Sequence, residues 1–135
     1  MKSAAKKALL LASSSLIWFA IGSAPASAAV PLTQLSSDPF TNTSSQHRTE
    51  VEPDTFSFGS TIVSAFQVGR FFDGGSSDIG FATSNDSGAT WQNSLLPGIT
   101  RYFGAGPYDR ASDPSVTFDA RHGVWLISSL ALLGT

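Results

Sequence analysis

The chain has 135 residues and a formal net charge of −2, from 8 basic and 10 acidic side chains. All three lysines lie within the first seven residues. The rest of the chain has five arginines and ten acidic residues, which gives it a formal net charge of −5. This charge excludes the basic surface that a nucleic-acid-binding protein needs. The sequence contains no cysteine, which excludes disulfides, thiolate metal sites and cysteine nucleophiles.

Residues 1–28 have the three-part pattern of a secretory signal peptide. A lysine-containing start precedes the apolar stretch Ala8–Ile21, and an Ala-x-Ala cleavage site ends at Ala28. The alternative is a membrane anchor, but this stretch has only 14 residues, whereas a spanning helix needs about 20. We therefore predict a secreted chain that starts near Ala29 and is free of the membrane after cleavage.

Residues 29–49 are polar and turn-rich, so we predict an irregular lead-in segment there. From about Val51 the chain changes to short runs rich in β-branched and aromatic residues, separated by turns rich in Gly, Asp and Asn. This pattern predicts strands joined as antiparallel hairpins. The predicted strands are Thr61–Val68, Asp78–Thr83, Ala89–Leu95, Ser115–Phe118 and Val124–Leu130.

The first of these strands is apolar on both faces. Ile62 and Phe66 point to one side, and Val63 and Ala65 point to the other. A sheet with one face in water alternates apolar and polar residues instead. We therefore expect this sheet to be covered on both sides.

Two acid–proline pairs indicate an internal repeat. Glu52-Pro53 precedes Gly59 and an apolar strand, and Asp113-Pro114 precedes Gly123 and a second apolar strand. The acid–proline pairs are 61 residues apart and the glycines are 64 apart. This spacing predicts that one supersecondary unit begins again, as in stacked or radial β architectures.

The segment from Ser84 to Trp91 reads S-x-D-x-G-x-T-W and lies at a predicted tight turn. We expect Asp86 to accept hydrogen bonds from its own turn, Gly88 to adopt a positive φ, and Trp91 to pack between sheets. This motif resembles the Asp-box, or BNR repeat, of the sialidase-like β-propellers. Its matching residues are Ser84, Asp86, Gly88, Thr90 and Trp91.

The resemblance implies an all-β fold: an incomplete β-propeller of about one and a half four-stranded antiparallel blades after the signal peptide. Residues 50–112 would form the first blade, with the Asp-box at 84–91, a first strand around Thr55–Phe58 and a long connection at the end. Residues 113–135 would begin a second, truncated blade. A propeller closes only as a ring of about 4–8 blades. The expected partners are therefore the missing blades of a longer chain.

The resemblance also implies a glycoside hydrolase of the exo-sialidase type that acts on extracellular glycans. Such enzymes use three arginines on the substrate carboxylate, a tyrosine nucleophile with a glutamate, and an aspartate as acid/base. The Arg-Ile-Pro-like motif of the first arginine is missing, and Arg48 and Arg70 lack the expected neighbours, so no catalytic residue is assigned. The alternatives are a non-catalytic propeller that binds glycans or proteins, and an inactive truncated product.

Within the family the Asp-box is a structural turn on the rim away from the substrate pocket. A possible ligand loop lies instead on the long connection, at Arg101, Tyr102, Tyr108 and Arg110. There an aromatic ring could stack on a sugar while arginine hydrogen-bonds its hydroxyls. The same side chains could equally pack against the next blade.

Three further groups have a functional and a structural interpretation. The acidic cluster Glu50–Asp54 is either a carboxylate group at the blade mouth or a solvated strand entry, and we favour the second. The segment Asp73–Asp78 is either a calcium loop or a plain hairpin turn, and we favour the turn because a regular acidic spacing is lacking. His47 and His122 have no ligand pattern around them. We expect no metal and no cofactor.

Overall fold

The computed structural model describes residues 32–134, which form six β-strands and contain no helix that could span a membrane. All paired strands are antiparallel and belong to one sheet, in the order β1-β2-β3-β5-β6, with β4 paired to β3. The predicted all-β class is confirmed, and the predicted signal peptide lies outside the described residues. The strands are β1 (Glu50–Phe58), β2 (Thr61–Arg70), β3 (Ser76–Ser84), β4 (Gln92–Leu95), β5 (Arg110–Asp119) and β6 (Val124–Leu132).

Strands β1 to β4 follow one another as an antiparallel meander. Gly59 in the β1–β2 turn has a φ of 60°, a conformation that glycine adopts without strain. Strand β4 has four residues and pairs only with Gly80–Thr83 of β3. The beginning of β3 is therefore left free by β4. There β5 pairs with β3, through Ala111 of β5 and Ser76 of β3.

The hairpin β5–β6 folds back over one face of this meander, which we call the hairpin face. Its inward side chains complete a buried core, while alternate side chains of β6 point away from it. Val124, Leu126 and Leu130 on that outer side are 44%, 49% and 49% exposed. The buried members of the core are Val63, Ala65, Ile79, Ala111 and Val116.

The opposite face of the meander, the lead-in face, is covered by the segment before β1. Leu35 and Phe40 of that segment pack against a second buried cluster, together with Trp91 and Leu95. The described part of this segment, residues 32–49, contains no strand and meets the sheet edge in one isolated bridge. Both faces are therefore covered, which confirms the prediction from the two-sided apolar strand. The buried cluster consists of Phe66, Val68 and Ala82.

Strands β1 and β5 are longer than the sequence predicted. They begin at Glu50 and Arg110, whereas the predicted strands begin at Thr55 and Ser115. The prediction treated each acid–proline pair as the end of a turn. Each pair instead lies inside its strand as a bulge, with regular pairing on both sides. The predicted boundary between residues 112 and 113 consequently falls within β5.

The two bulges occupy equivalent positions in a structural repeat. Glu52 and Asp113 adopt left-handed backbone conformations, with φ of 53° and 49°. Each bulged strand then leads to a turn glycine of positive φ, Gly59 at 60° and Gly123 at 68°. A non-glycine residue held in this region costs about 1–3 kcal/mol. The hairpins β1–β2 and β5–β6 therefore share an uncommon and costly feature.

Candidate functional site

The segment from Ser84 to Trp91 joins β3 to β4 and is held by a compact set of hydrogen bonds. The Asp86 carboxylate accepts from the Ser84 hydroxyl (2.8 Å), the Thr90 N–H (2.8 Å) and the Thr90 hydroxyl (2.6 Å). The Ser84 hydroxyl oxygen also accepts from the Gly88 N–H at 2.8 Å. The polar residues of the motif thus bond to one another, and Asp86 holds the turn together through these hydrogen bonds.

Gly88 and Trp91 complete this turn. Gly88 has a φ of 91°, which side-chain-bearing residues rarely adopt. The Trp91 indole N–H donates to the Gly88 carbonyl at 3.0 Å, and the half-buried ring packs on the lead-in face. Because the turn uses Ala89 and Thr90, β4 begins at Gln92 and is shorter than predicted.

We expect Asp86→Ala to lower the melting temperature by several degrees at pH 7. Hydrogen bonds from Thr90 and then Ser84 lower the pKa of Asp86 from 3.8 to about 2. The carboxylate therefore contributes stability that is present above pH 3.8 and is lost as the pH falls through about 2. Thermal unfolding of the wild type and the variant at pH 7 and pH 2, followed by tryptophan fluorescence, measures this.

The control for that experiment is Asp86→Asn, which keeps one acceptor oxygen and should lose less stability than Asp86→Ala. The difference between the wild type and either variant should also shrink at pH 2. Equal melting temperatures of the wild type and Asp86→Ala at pH 7 would show that these hydrogen bonds contribute nothing to the fold.

The other end of the sheet, beside the β2–β3 turn, brings together three of the four predicted ligand-loop residues. They line one pocket of about 210 Å³, which we call the rim pocket. Tyr108 does not line it and is 37% exposed. The rim pocket is lined chiefly by Phe71, Asp73, Arg101, Tyr102, Asp109 and Arg110.

Arg110, the first residue of β5, is held tightly at this pocket, with its side chain only 12% exposed. Its guanidinium donates to Asp73 at 2.9 Å and to the Gly74 carbonyl at 2.8 Å, both in the β2–β3 turn. The same guanidinium lies 5.0 Å from the centre of the Phe71 ring, a cation–π contact. The hydrogen bond from Arg110 lowers the pKa of the Asp73 carboxyl.

Arg101 and Tyr102 form the opposite wall of the rim pocket. Arg101 is paired with the Asp109 carboxylate and its side chain remains 56% exposed. The Tyr102 ring lies edge-on to Phe71, with centroids 6.0 Å apart, and its hydroxyl is hydrogen-bonded to Ser44 at 3.2 Å. Both arginines are thus balanced by a carboxylate, so the pocket combines donors, acceptors and aromatic rings without excess positive charge.

Comparisons with protein-family models, with curated proteins and with solved structures each gave no match to this chain. The Asp-box resemblance therefore depends on the eight-residue motif and the arrangement of the strands around it.

Two of the three carboxylates in the predicted acidic cluster have a structural role. Glu50 accepts a hydrogen bond from the Ser36 hydroxyl at 2.5 Å, which fastens the lead-in to β1. Asp54 accepts from the Val116 N–H (2.7 Å) and the Ser115 hydroxyl (2.9 Å), which fastens β1 to β5. The hydrogen bond from Val116 is the main cause of the lowered pKa of Asp54. These two residues therefore tie elements of the fold together.

The other predicted candidates lie apart from one another. Asp73 is 69% exposed in the β2–β3 turn, whereas Asp78 is completely buried within β3. The segment is thus a hairpin turn followed by a strand. His47 and His122 are both exposed. Within residues 32–134, no three His, Cys, Asp or Glu side chains come close enough together to hold a metal ion.

A polar group that was not predicted from the sequence lies between the two bulges. We call it the paired-bulge cluster: Glu52, Gln67, Ser112 and Asp113. The Gln67 amide donates to the Glu52 carboxylate and to the Ser112 hydroxyl at 3.4 Å. The Ser112 hydroxyl donates to Asp113 at 2.9 Å. The repeated acid–proline pairs were the only signal for this cluster, since a lone glutamine within an apolar strand indicates nothing by itself.

Proposed function

We propose that this chain is part of an exported Asp-box β-propeller that acts on extracellular glycans, and that its rim pocket binds a glycan. The observation that carries the proposal is the position of that pocket. It lies beside the start of β3, whereas the Asp-box follows the end of β3. The family resemblance implies a substrate side at the rim away from the Asp-box.

The arrangement of strands supports the propeller part of the proposal. The antiparallel meander β1–β4, with an Asp-box between β3 and β4, is what one blade requires. The hairpin β5–β6 repeats the bulge and the turn glycine of β1–β2, as the first half of a second blade would. In this proposal, further strands of the parent protein pair with β6 and cover the exposed side chains of Leu126 and Leu130.

The chemistry of the rim pocket supports a ligand rich in hydroxyl groups. Each Arg–Asp pair offers N–H donors and carboxylate acceptors side by side, which suits a group that both donates and accepts. Tyr102 and Phe71 add aromatic surface against which the apolar face of a sugar ring can pack. The pocket of about 210 Å³ has room for about one sugar unit.

Hydrolysis by an exo-sialidase is the second candidate, and the Asp-box resemblance is the reason to retain it. A sialidase holds the substrate carboxylate with arginines, which requires guanidinium groups free to make bidentate contacts. In the rim pocket, Arg101 is paired with Asp109 and Arg110 with Asp73. Because both guanidinium groups are already paired, the present chain is better suited to bind a neutral sugar. Any sialidase chemistry would then belong to other blades of the parent protein.

The test is a titration of the isotopically labelled chain with lactose and with sialyllactose, followed by amide NMR shifts. We expect both sugars to shift the residues of the rim pocket with similar affinity, and Arg101→Ala to weaken both at least tenfold. Arg121→Ala is the matched control, because Arg121 is an exposed arginine in the β5–β6 turn at the other end of the sheet. We also expect no hydrolysis of a fluorogenic sialoside.

The alternative outcomes separate the two candidates. Much tighter binding of sialyllactose than of lactose, or release of the fluorophore, would favour the sialidase. Failure of both sugars to shift any residue of the rim pocket would contradict glycan binding by this chain. Export is tested separately by expressing the whole chain and determining the mass of the secreted product, which should begin at Ala29.

A further inference from the structure

Strand β6 leaves one long edge of the sheet without a neighbour. It pairs with β5 on one side, and within residues 32–134 no strand pairs with its other side. Its nine residues include no charged residue, no proline and no glycine. The unpaired N–H and C=O groups of such an edge form a template for another strand, and proteins usually protect an edge with charge, proline or a bulge.

The other edge strands of the sheet carry this kind of protection. Strand β1 contains Pro53 and a bulge. It also has three acidic side chains, which would repel the β1 strand of a second copy. Strand β4 has only four residues. Among the described strands, β6 is therefore the edge at which the addition of a further strand is favoured.

A groove of about 530 Å³ lies beneath β6 on the hairpin face. Trp125 and Ile127 of β6 form one wall, and residues of β2 and β3 together with Leu96 form the rest. No residue of β5 lines the groove, so it lies toward the free edge of β6. A strand added at that edge would extend the cover of the hairpin β5–β6 over apolar side chains such as Val63 and Phe81.

The sequence of β6 fits a second β6 strand that runs antiparallel to it, with Ser128 at the centre. On the inner side each large residue then faces a small one, which lets both strands pack over the groove. On the outer side apolar residues face one another, so the side chains exposed in one copy cover those of the other. The pairs, with one residue from each copy, are Val124 with Leu132, Trp125 with Ala131, Leu126 with Leu130, Ile127 with Ser129, and Ser128 with itself.

We propose that this chain forms a twofold-symmetric dimer in which the two β6 strands pair antiparallel around Ser128. No like charges meet in this interface, because β6 carries no charge. The pairing uses the free β6 edge of both copies, so assembly stops at two. The dimer is independent of glycan binding and belongs to the 135-residue chain by itself, since a following strand of a longer parent protein would occupy the same edge.

The size of the interface sets the expected affinity. Each copy contributes the nine residues of β6. A standard interface has about 20–30 residues a side, so we expect a weak dimer with a dissociation constant of about 10–100 µM. Sedimentation equilibrium of the purified chain should therefore show a monomer at about 1 µM and mostly a dimer at about 500 µM.

Charged substitutions test which side chains meet. Leu126→Lys should weaken the dimer at least tenfold, because the lysine would face Leu130 of the second copy. Addition of Leu130→Glu to that variant should restore the dimer, since each lysine would then face a glutamate of the other copy. Phe72→Lys is the matched control, because Phe72 is an exposed apolar residue of the β2–β3 turn. It should dimerise like the wild type.

A single thiol tests the register independently of these variants. The chain has no cysteine, so Ser128→Cys introduces one thiol per copy. Side chains directly opposite each other in an antiparallel pair lie within reach of a disulfide. Dissolved oxygen should therefore oxidise Ser128→Cys to a covalent dimer much faster than Ser57→Cys, which places its thiol on the exposed side of β1.

Several results would overturn the proposal. One is a wild type that remains monomeric at about 500 µM, well above the expected dissociation constant. Another is growth beyond the dimer, which would show that the edges join copies without closing. Dimerisation unaffected by Leu126→Lys, or equal cross-linking of the two cysteine variants, would show that the copies meet at another surface.

Discussion

Raising the pH from 4 to 8 should destabilise this protein by about 4 kcal/mol, because Asp78 is buried without a charged partner. The side chain is completely buried in β3, and one carboxyl oxygen accepts only the N–H of Ile79. The other oxygen has no partner. Burial therefore raises the pKa of Asp78 from 3.8 to about 7. Each unit of that shift corresponds to about 1.4 kcal/mol.

The direction of this pH effect depends on whether the folded or the unfolded state holds the Asp78 proton. Between pH 3.8 and about 7 the folded protein keeps Asp78 protonated while the unfolded chain has released the proton. Stability is therefore highest near the lower limit, falls as the pH rises toward 7, and levels off above it. Asp54 and Asp86, whose pKa values are lowered, act in the opposite direction and only below about pH 4. A typical domain is stable by about 5–15 kcal/mol, so the change is large.

Urea unfolding at pH 4 and pH 8, followed by tryptophan fluorescence, tests this prediction. In Asp78→Asn the side chain cannot ionise, so we expect a nearly flat profile and a variant that is more stable than the wild type at pH 8. Asp73→Asn is the control, because the Asp73 carboxyl has a lowered pKa and should leave the slope between pH 4 and 8 nearly unchanged. A wild type equally stable at both pH values would refute the burial of a protonated Asp78.

Ile79→Ala should destabilise the protein by about 2–5 kcal/mol, the usual cost of truncating a fully buried isoleucine. Ile79 has no exposed surface and packs on the hairpin face against Val63, Ala65, Ala111 and Val116. Removing its outer atoms leaves a cavity between the meander and the hairpin β5–β6. The free energy of unfolding from urea titrations at pH 5, where Asp78 is protonated, gives the value.

Two further variants test whether the loss of stability is specific to the hairpin face. Ile79→Val keeps most of the side chain and should cost only about 0.5–1.5 kcal/mol. Leu126→Ala removes a side chain that is 49% exposed on the outer side of β6, and it should change stability by no more than about 0.5 kcal/mol. If Ile79→Ala cost as little as Leu126→Ala, the hairpin β5–β6 could not be covering this face in solution.

Most of the strand pattern could be predicted from the sequence because it depends on neighbours along the chain. The apolar alternation of Thr61–Arg70 places side chains on two faces whatever lies beyond them. The Asp-box could be predicted for the same reason, since Asp86 bonds to residues two and four positions away. The strand ends were predicted less well, because a bulge at an acid–proline pair looks like a turn in the sequence.

The candidate sites were only partly predictable. Arg101, Tyr102 and Arg110 of the predicted ligand loop do line one pocket. The sequence did not indicate that both arginines would be paired with carboxylates. Arg110 and its partner Asp73 are 37 residues apart. The paired-bulge cluster was not predicted at all, since Gln67 and Ser112 are 45 residues apart and meet only when β5 folds over the meander.

The amino-acid sequence by itself thus determined the all-β class, the approximate positions of five of the six strands and the hydrogen-bonded turn at 84–91. These follow from backbone preferences and from contacts within a few residues. Only the tertiary structure decided which face each hairpin covers, which charges neutralise one another and which buried polar atoms lack a partner. Asp54 and Ser115 illustrate the reason: they are 61 residues apart, and their hydrogen bond exists only after two separate hairpins have packed together.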